Sequence, residues 1–124
     1  MTGRKRRILV VEDSRTQAEQ VRLLLEADGY EVQRAANGRQ ALEAIAARPP
    51  DLIVSDIEMP EMDGYELCRR LKQSHETRRI PFVLFTEHNA PMDIIEGLLR
   101  GADNFILKSS PDGYLLQRVR RILE

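Results

Sequence analysis

Five polar residues that could take part in chemistry follow short apolar runs in this sequence: Glu12, Asp13, Asp56, Thr86 and Lys108. Three of them carry carboxylates, one carries a hydroxyl and one an amine. Carboxylates that are brought together repel one another, which raises their pKa values. A hard divalent cation relieves that repulsion, and Mg²⁺ suits carboxylate ligands because it retains several of its waters. The residue types therefore predict a Mg²⁺ site, provided that the fold gathers the three carboxylates.

The runs that would position these residues have the length of β-strands: 8–11, 31–35, 52–54, 81–85 and 105–107. The first and third runs are apolar throughout, which is typical of strands buried on both faces of a sheet. After each run, apolar residues recur three and four positions apart, which is the spacing of an amphipathic helix. A helix is therefore predicted after every strand.

Local signals predict where several of these helices begin and end. Ser14 and Gln17 have the spacing of a capping box at the start of a helix, and Asp63 and Glu66 repeat that spacing. Gly29 follows the last apolar residue of the first helical segment, where glycine commonly ends a helix. These signals support the alternation of strands and helices.

The alternation predicts an α/β fold, a (βα)5 doubly wound, five-stranded parallel sheet of the flavodoxin-like type with helices on both faces. In such sheets, sites form beyond the carboxyl ends of the strands, near the switch in strand order. Each polar residue taken singly is typical of a helix cap or a solvated loop. Because all five follow strands whose carboxyl ends meet at one edge of the sheet, a functional site is favoured.

Length and composition exclude several classes of protein. A chain of 124 residues supports one domain. The formal net charge of −1 gives no general case for binding nucleic acid or an anionic membrane, and no apolar run approaches the ~20 residues of a membrane span. The single cysteine excludes an intrachain disulfide and favours a reducing compartment, so we expect a cytoplasmic protein.

The charges are unevenly distributed along the chain. Arg4, Lys5, Arg6 and Arg7 form a basic block, and the rest of the chain keeps 15 basic against 20 acidic residues, a net charge of −5. A block of this kind can be a nucleic-acid arm, but without interleaved aromatic residues a solvated tail is favoured. We therefore expect a basic tail at residues 1–6 and a single domain at residues 7–124.

From about residue 7 to residue 123, the chain resembles the response-regulator receiver family. The segments that carry the resemblance are 10–14, 55–64, 85–86 and 101–108. The most specific is the Asp-x-x-Met-Pro-x-Met-Asp-Gly pattern that begins at Asp56. The resemblance implies that Asp56 is the phosphoacceptor, which receives a phosphoryl group from the phosphohistidine of a histidine kinase or of a histidine phosphotransfer protein.

The resemblance also implies roles for the other residues of the site. Glu12 and Asp13, with Asp56 and the backbone carbonyl of Glu58, would bind Mg²⁺. Lys108 would place a compact positive charge beside the phosphoryl group, to which the Thr86 hydroxyl also donates. The chain would then be a signalling phosphoacceptor, with no catalysis beyond its own phosphotransfer and autodephosphorylation.

A switch and a set of partners follow from the same resemblance. Thr86 would move toward the acyl phosphate, and Phe105 would turn inward to fill the vacated space. The signal would then reach the surface of the fourth helix, fifth strand and fifth helix. That surface would bind a downstream protein, an effector domain or a second copy of the chain, whereas direct binding to nucleic acid or membranes is not implied.

Four residues bear on whether the family pattern is complete. Ser109 follows Lys108 where the family usually has proline, and Glu87 places a bulky anion after Thr86 where a small residue is usual. Glu58 and His88 stand two residues after Asp56 and Thr86, at positions that resemble modulators of phosphoryl lifetime. A receiver-like binding module that signals without phosphorylation therefore remains the alternative.

Two other activities lack their sequence signatures. An aspartyl-nucleophile phosphohydrolase needs a second aspartate two residues after its nucleophile, where this chain has Glu58. A flavin mononucleotide site would need a loop rich in Ser, Thr and Gly after the first strand, and that loop is missing.

Overall fold

The structure, a computed structural model, describes residues 4–87 and 91–124. Its strands are β1 (Arg7–Val11), β2 (Glu31–Ala35), β3 (Leu52–Ser55), β4 (Phe82–Thr86) and β5 (Asn104–Leu107). Its helices are α1 (Arg15–Ala27), α2 (Gly38–Ala47), α3 (Gly64–Gln73), α4 (Pro91–Leu99) and α5 (Asp112–Leu123). All strand pairs are parallel, in the order β2-β1-β3-β4-β5. The predicted α/β fold is therefore confirmed.

Two apolar clusters cover the two faces of the sheet. Alternate strand residues such as Leu9 and Ile53 pack with α2 and α3 on one face, and their neighbours Ile8 and Leu52 pack with α1 and α5 on the other. This division explains why the first and third runs are apolar throughout, because both faces of those strands are buried. The helices thus leave the carboxyl edge of the sheet available for polar groups.

The boundary of β4 differs from the prediction by one residue. The strand was predicted over residues 81–85, whereas it runs from Phe82 to Thr86. Pro81 has no N–H for the ladder, although its carbonyl accepts from Ile53 N at 2.9 Å. At the other end, Thr86 O accepts from Lys108 N at 2.7 Å, which keeps Thr86 within the ladder.

The fourth residue of the basic block belongs to the sheet. Arg7 is the first residue of β1, and only 5% of its surface is exposed. Its guanidinium donates to Glu31 Oε2 at 3.1 Å, Gln33 Oε1 at 2.8 Å and the Arg48 carbonyl at 3.1 Å. Because its charge is paired and its donors find acceptors, this arginine can be buried. It ties β1 to β2 and to the end of α2.

None of the helices in the described parts of the chain has the length and apolar character that a membrane span requires.

Cys68 on α3 gives a test of this packing. Its side chain is fully buried, its thiol donates to the Arg100 carbonyl at 3.4 Å, and burial raises the thiol pKa to about 11. At pH 8 the thiolate fraction is then about 0.1%. We expect the Cys68 thiol to react with a disulfide reagent at least about a hundredfold more slowly in the folded chain than in the chain unfolded in urea. A rate within tenfold of the unfolded chain would contradict this burial.

Candidate functional site

Three carboxylates lie together at the carboxyl edge of the sheet. Glu12, Asp13 and Asp56 each offer an oxygen within 4.8 Å of the others. Strand register brings them together, because Val11 lies opposite Ser55 and the Asp56 N–H donates to the Val11 carbonyl at 3.0 Å. Glu12 is buried, Asp56 half-buried and Asp13 exposed, so the cluster extends from the protein interior to solvent.

Lys108 supplies the positive charge of this cluster. Its Nζ lies 2.7 Å from Glu12 Oε1 and 3.1 Å from Asp56 Oδ2. The side chains of Lys108, Glu12 and Asp56 are only 12%, 6% and 13% exposed, so water screens these ion pairs weakly. Lys108 directly follows β5, and its backbone bond to Thr86 fixes its position beside β4.

The electrostatics of the site follow from burial and charge together. Burial raises the pKa of Glu12, and the hydrogen bonds from Lys108 and the Ser14 N–H only partly offset it. Burial would lower the pKa of Lys108, but its hydrogen bond to Glu12 and the charge of Asp56 outweigh burial and raise it. With all groups ionised, three negative charges and one positive charge leave −2. A divalent cation would neutralise that charge.

One of the two hydrogen bonds of the predicted capping box forms at the start of α1. Ser14 Oγ accepts from the Gln17 N–H at 3.3 Å, as predicted. The Ser14 N–H, however, donates to Glu12 Oε2 at 3.1 Å, and Gln17 Oε1 accepts from Lys108 Nζ. Gln17 is therefore a site residue that sequence reasoning explained only as a cap. Its position in the first turn after Asp13 is the signal that could have revealed it.

Arg34 is a second residue of the site that the sequence did not reveal. It lies in β2 opposite Val10, and its Nε and Nη2 donate to the Glu12 carbonyl at 3.1 and 3.0 Å. Its Nη2 also donates to the Asp13 carbonyl at 3.2 Å. Arg34 thus holds the backbone of the acidic pair, a role that only the pairing of β1 with β2 discloses.

The loop after β3 fixes Asp56 by close packing. Asp56 Oδ1 accepts from the Ile57 N–H at 2.7 Å, and the Gly64 N–H donates to the Ile57 carbonyl at 2.7 Å. A Cβ at Gly64 would lie 2.2 Å from the Asp56 carbonyl oxygen, which is shorter than any non-bonded contact that a Cβ atom makes. Asp63 caps α3 through the Glu66 N–H at 2.8 Å. The Asp-Gly pair of the motif therefore holds this loop against Asp56.

Four of the five remaining predicted residues lie in the described parts of the chain. Thr86 is fully buried at the end of β4, and Phe105 is half-buried in β5, opposite Leu84. Glu58 and Glu87 are both exposed, and Glu58 lines one cleft with Asp13. His88 lies outside the described residues.

The replacement of proline by Ser109 leaves Lys108 in the site. Residues 4–87 and 91–124 contain no cis peptide bond, so the Lys108–Ser109 bond is trans. The Ser110 N–H donates to the Leu107 carbonyl at 3.0 Å and closes a turn after β5. Glu87 and Lys108 line one groove beside α1, which also includes Gln17.

Comparisons with known proteins identify the family. Residues 8–120 match the family model described as response regulator receiver domain. The chain therefore belongs to the response regulator receiver domain family, whose members are signalling phosphoacceptors of two-component systems.

Individual relatives agree with this assignment. Response regulator PleD of Caulobacter vibrioides is 42% identical over 116 residues, which cover 94% of this chain and 26% of PleD. The receiver domain of a Syntrophus aciditrophicus signal transduction histidine kinase is 47% identical, with a TM-score of 0.89 over 94% of this chain and 89% of that chain. The chain spans 26% to 52% of the length of curated relatives such as PleD and a Rhizobium meliloti PhoB.

One solved relative contains a metal. The receiver domain of sensor histidine kinase PA1611 of Pseudomonas aeruginosa is 26% identical, with a TM-score of 0.88 over 97% of this chain and 98% of that chain. Its structure has a magnesium ion coordinated in the active site cleft.

Gly64→Ala tests the packing that holds Asp56. We expect this substitution to lower the free energy of unfolding by about 1–3 kcal/mol, because the new Cβ must displace the Asp56 carbonyl. Urea unfolding measures this change. The matched control is Gly113→Ala in α5, where nothing lies within 4 Å of the new Cβ and a gain of about 0.5–1 kcal/mol is expected. Equal effects of the two substitutions would refute the close approach at Gly64.

Proposed function

We propose that this chain accepts a phosphoryl group on Asp56 from the phosphohistidine of a histidine kinase or a histidine phosphotransfer protein, with Mg²⁺ bound beside it. The observation that carries the proposal is the position of Asp56. One of its oxygens faces the ammonium of Lys108, and the other is held by the Ile57 N–H. A carboxylate fixed in this way is a preorganised nucleophile.

The donor set of the acidic cluster fits Mg²⁺. Carboxylate and carbonyl oxygens are the ligands that this ion takes, and the charges of the three carboxylates and Lys108 sum to −2 when all four groups are ionised. Glu12, Asp13, Asp56 and the carbonyl of Glu58 would hold the ion. When bound, Mg²⁺ neutralises charge on the transferring phosphoryl group. The magnesium in the PA1611 receiver domain supports this assignment.

The transfer itself needs no proton from Asp56. An Asp56 carboxylate oxygen forms a bond to phosphorus while the bond from phosphorus to the histidine nitrogen breaks. The bonding electrons leave with the histidine ring nitrogen, which takes up a proton from solvent water. Lys108 then hydrogen-bonds a phosphoryl oxygen, and the resulting acyl phosphate carries nearly two negative charges.

The response of the domain would begin at Thr86. Its hydroxyl can donate to a phosphoryl oxygen once the acyl phosphate has formed, and Phe105 would fill the space that Thr86 leaves. Thr86 and Phe105 lie in paired strands of the sheet, which supports this coupling. Such a switch shifts an equilibrium only as far as the phosphoryl group binds one state better.

We assign the output to the surface formed by α4, β5 and α5. Large apolar side chains are exposed on α4 and α5: Ile95, Leu98 and Leu99 on α4, and Tyr114 on α5. Leu99 is 78% exposed, and clusters of exposed apolar side chains mark surfaces that bind other proteins. A downstream protein, an effector domain or a second copy of the chain would bind there.

A receiver-like module that signals without phosphorylation is the second candidate. The exposed Glu87 favours it, because this carboxylate lines the groove that also contains Lys108 and would repel an anionic phosphoryl donor. Ser109 in place of proline points the same way but does not remove Lys108 from the site.

Phosphorylation by a small phosphodonor separates the two candidates. We expect the wild-type chain, incubated with acetyl phosphate and Mg²⁺, to gain the mass of one phosphoryl group, and Asp56→Asn to gain none. Glu61→Gln is the matched control, because Glu61 is an exposed carboxylate of the same loop. No gain on the wild type, or a gain that survives in Asp56→Asn, would favour the non-phosphorylated module.

We also propose that Glu58, Glu87 and His88 modulate the phosphoryl group. For Glu58 and His88, the effect concerns the lifetime of the acyl phosphate, because their sequence positions, two residues after Asp56 and Thr86, resemble modulators of that lifetime in the family. We expect Glu58→Ala and His88→Ala each to change the half-life of the phosphorylated chain, measured by mass spectrometry over time. Half-lives equal to that of the wild type would remove these residues from the proposal.

A further inference from the structure

The ammonium of Lys108 has a complete set of acceptors. An ammonium carries three N–H donors. Lys108 Nζ donates to Glu12 Oε1 at 2.7 Å, to Asp56 Oδ2 at 3.1 Å and to Gln17 Oε1. Two of these acceptors are charged, and the third is a neutral amide. The amide is the only one of the three that comes from a helix.

The backbone of α1 holds Gln17 in place for this contact. The Gln17 N–H donates to Ser14 Oγ, and the Ser14 N–H is taken by Glu12 Oε2. Because Glu12 occupies the donor that a capping box would assign to the Gln17 side chain, that side chain is available for Lys108. Gln17 thus connects the first turn of α1 to a residue 91 positions away.

We propose that Gln17 is a positioning residue for phosphoryl transfer, which holds the Lys108 ammonium beside Asp56. The proposal rests on the proposed role of Asp56 as phosphoacceptor. Without a third acceptor, the ammonium would be balanced only between Asp56 and Glu12, which is the nearer and the more buried carboxylate. Attraction is stronger at shorter distance and lower dielectric, so the ammonium would move toward Glu12.

The neutrality of Gln17 matters for the reaction. When Asp56 is phosphorylated, the N–H that now points at Asp56 Oδ2 passes to a phosphoryl oxygen. The two N–H groups that point at Glu12 and Gln17 remain in place, so Lys108 turns little. A carboxylate at position 17 would hold the ammonium equally well but would add a negative charge in front of an anionic phosphodonor.

Three substitutions test the proposal. Gln17→Met keeps the length of the side chain and removes the acceptor, whereas Gln17→Glu keeps an acceptor. Gln20→Met is the matched control, because Gln20 is an exposed glutamine of the same helix and lines the same groove. Urea unfolding of each variant verifies that the fold is retained.

The first measurement is the rate of phosphorylation by acetyl phosphate at saturating Mg²⁺. We expect Gln17→Met to be slower than the wild type by about tenfold, which corresponds to ~1.4 kcal/mol and lies near the value of a hydrogen bond to a charged group. Gln20→Met should keep the wild-type rate. A wild-type rate in Gln17→Met would overturn the proposal.

The second measurement is the ¹⁵N–¹H signal of the Lys108 ammonium in the unphosphorylated protein without Mg²⁺. We expect this signal to be protected from exchange with water in the wild type and in Gln17→Glu, and to be lost in Gln17→Met. A slow Gln17→Met with an intact ammonium signal would mean that Gln17 acts elsewhere, which also overturns the proposal. If the wild type is not phosphorylated, the proposed function fails, while the ammonium signal still decides whether Gln17 holds Lys108.

Discussion

The site depends on the ion pairs that the Lys108 ammonium makes with two poorly solvated carboxylates, Glu12 and Asp56. Glu12 and Asp56 follow adjacent parallel strands, so the register of β1 and β3 forces them together whatever their mutual repulsion. The lysine offsets one of the negative charges, and its hydrogen bond to Glu12 partly opposes the rise in pKa that burial causes there. The charge that remains would attract the divalent cation that we propose for this site. Lys108, which directly follows β5, therefore offsets only part of the negative charge at this edge.

The fold contributes precision to this balance. The Asp56 backbone is fixed by its N–H bond to Val11, and Gly64 packs so closely that no side chain fits between α3 and the Asp56 carbonyl. On the other side, Arg34 holds the carbonyls of Glu12 and Asp13. Strand register, one glycine and one arginine thus fix the groups whose spacing the proposed chemistry requires.

The sequence predicted the fold and the proximity of the three carboxylates and Lys108, because parallel strands share a carboxyl edge and each of these residues follows a strand. It could not predict the contacts of Gln17 and Arg34. Gln17 had a complete local explanation as a cap, whereas its side-chain partner lies 91 positions away. Arg34 is one polar residue among several in β2, and only strand pairing shows what it contacts. The shift of β4 by one residue has the same origin, since Thr86 joins the ladder through the backbone of Lys108.

The packing of α4 links the proposed switch to the proposed output surface. Gly97 of α4 is buried, and a Cβ there would lie 2.5 Å from Leu84 Cδ1 and 3.3 Å from Phe105 Cδ2. The helix backbone therefore rests directly on β4 and β5, with no side chain at this position to absorb a movement. Close-packed interiors transmit displacement instead of damping it. A rotation of Phe105 would press on or release α4 itself, whose exposed Ile95, Leu98 and Leu99 are the groups that a partner would contact.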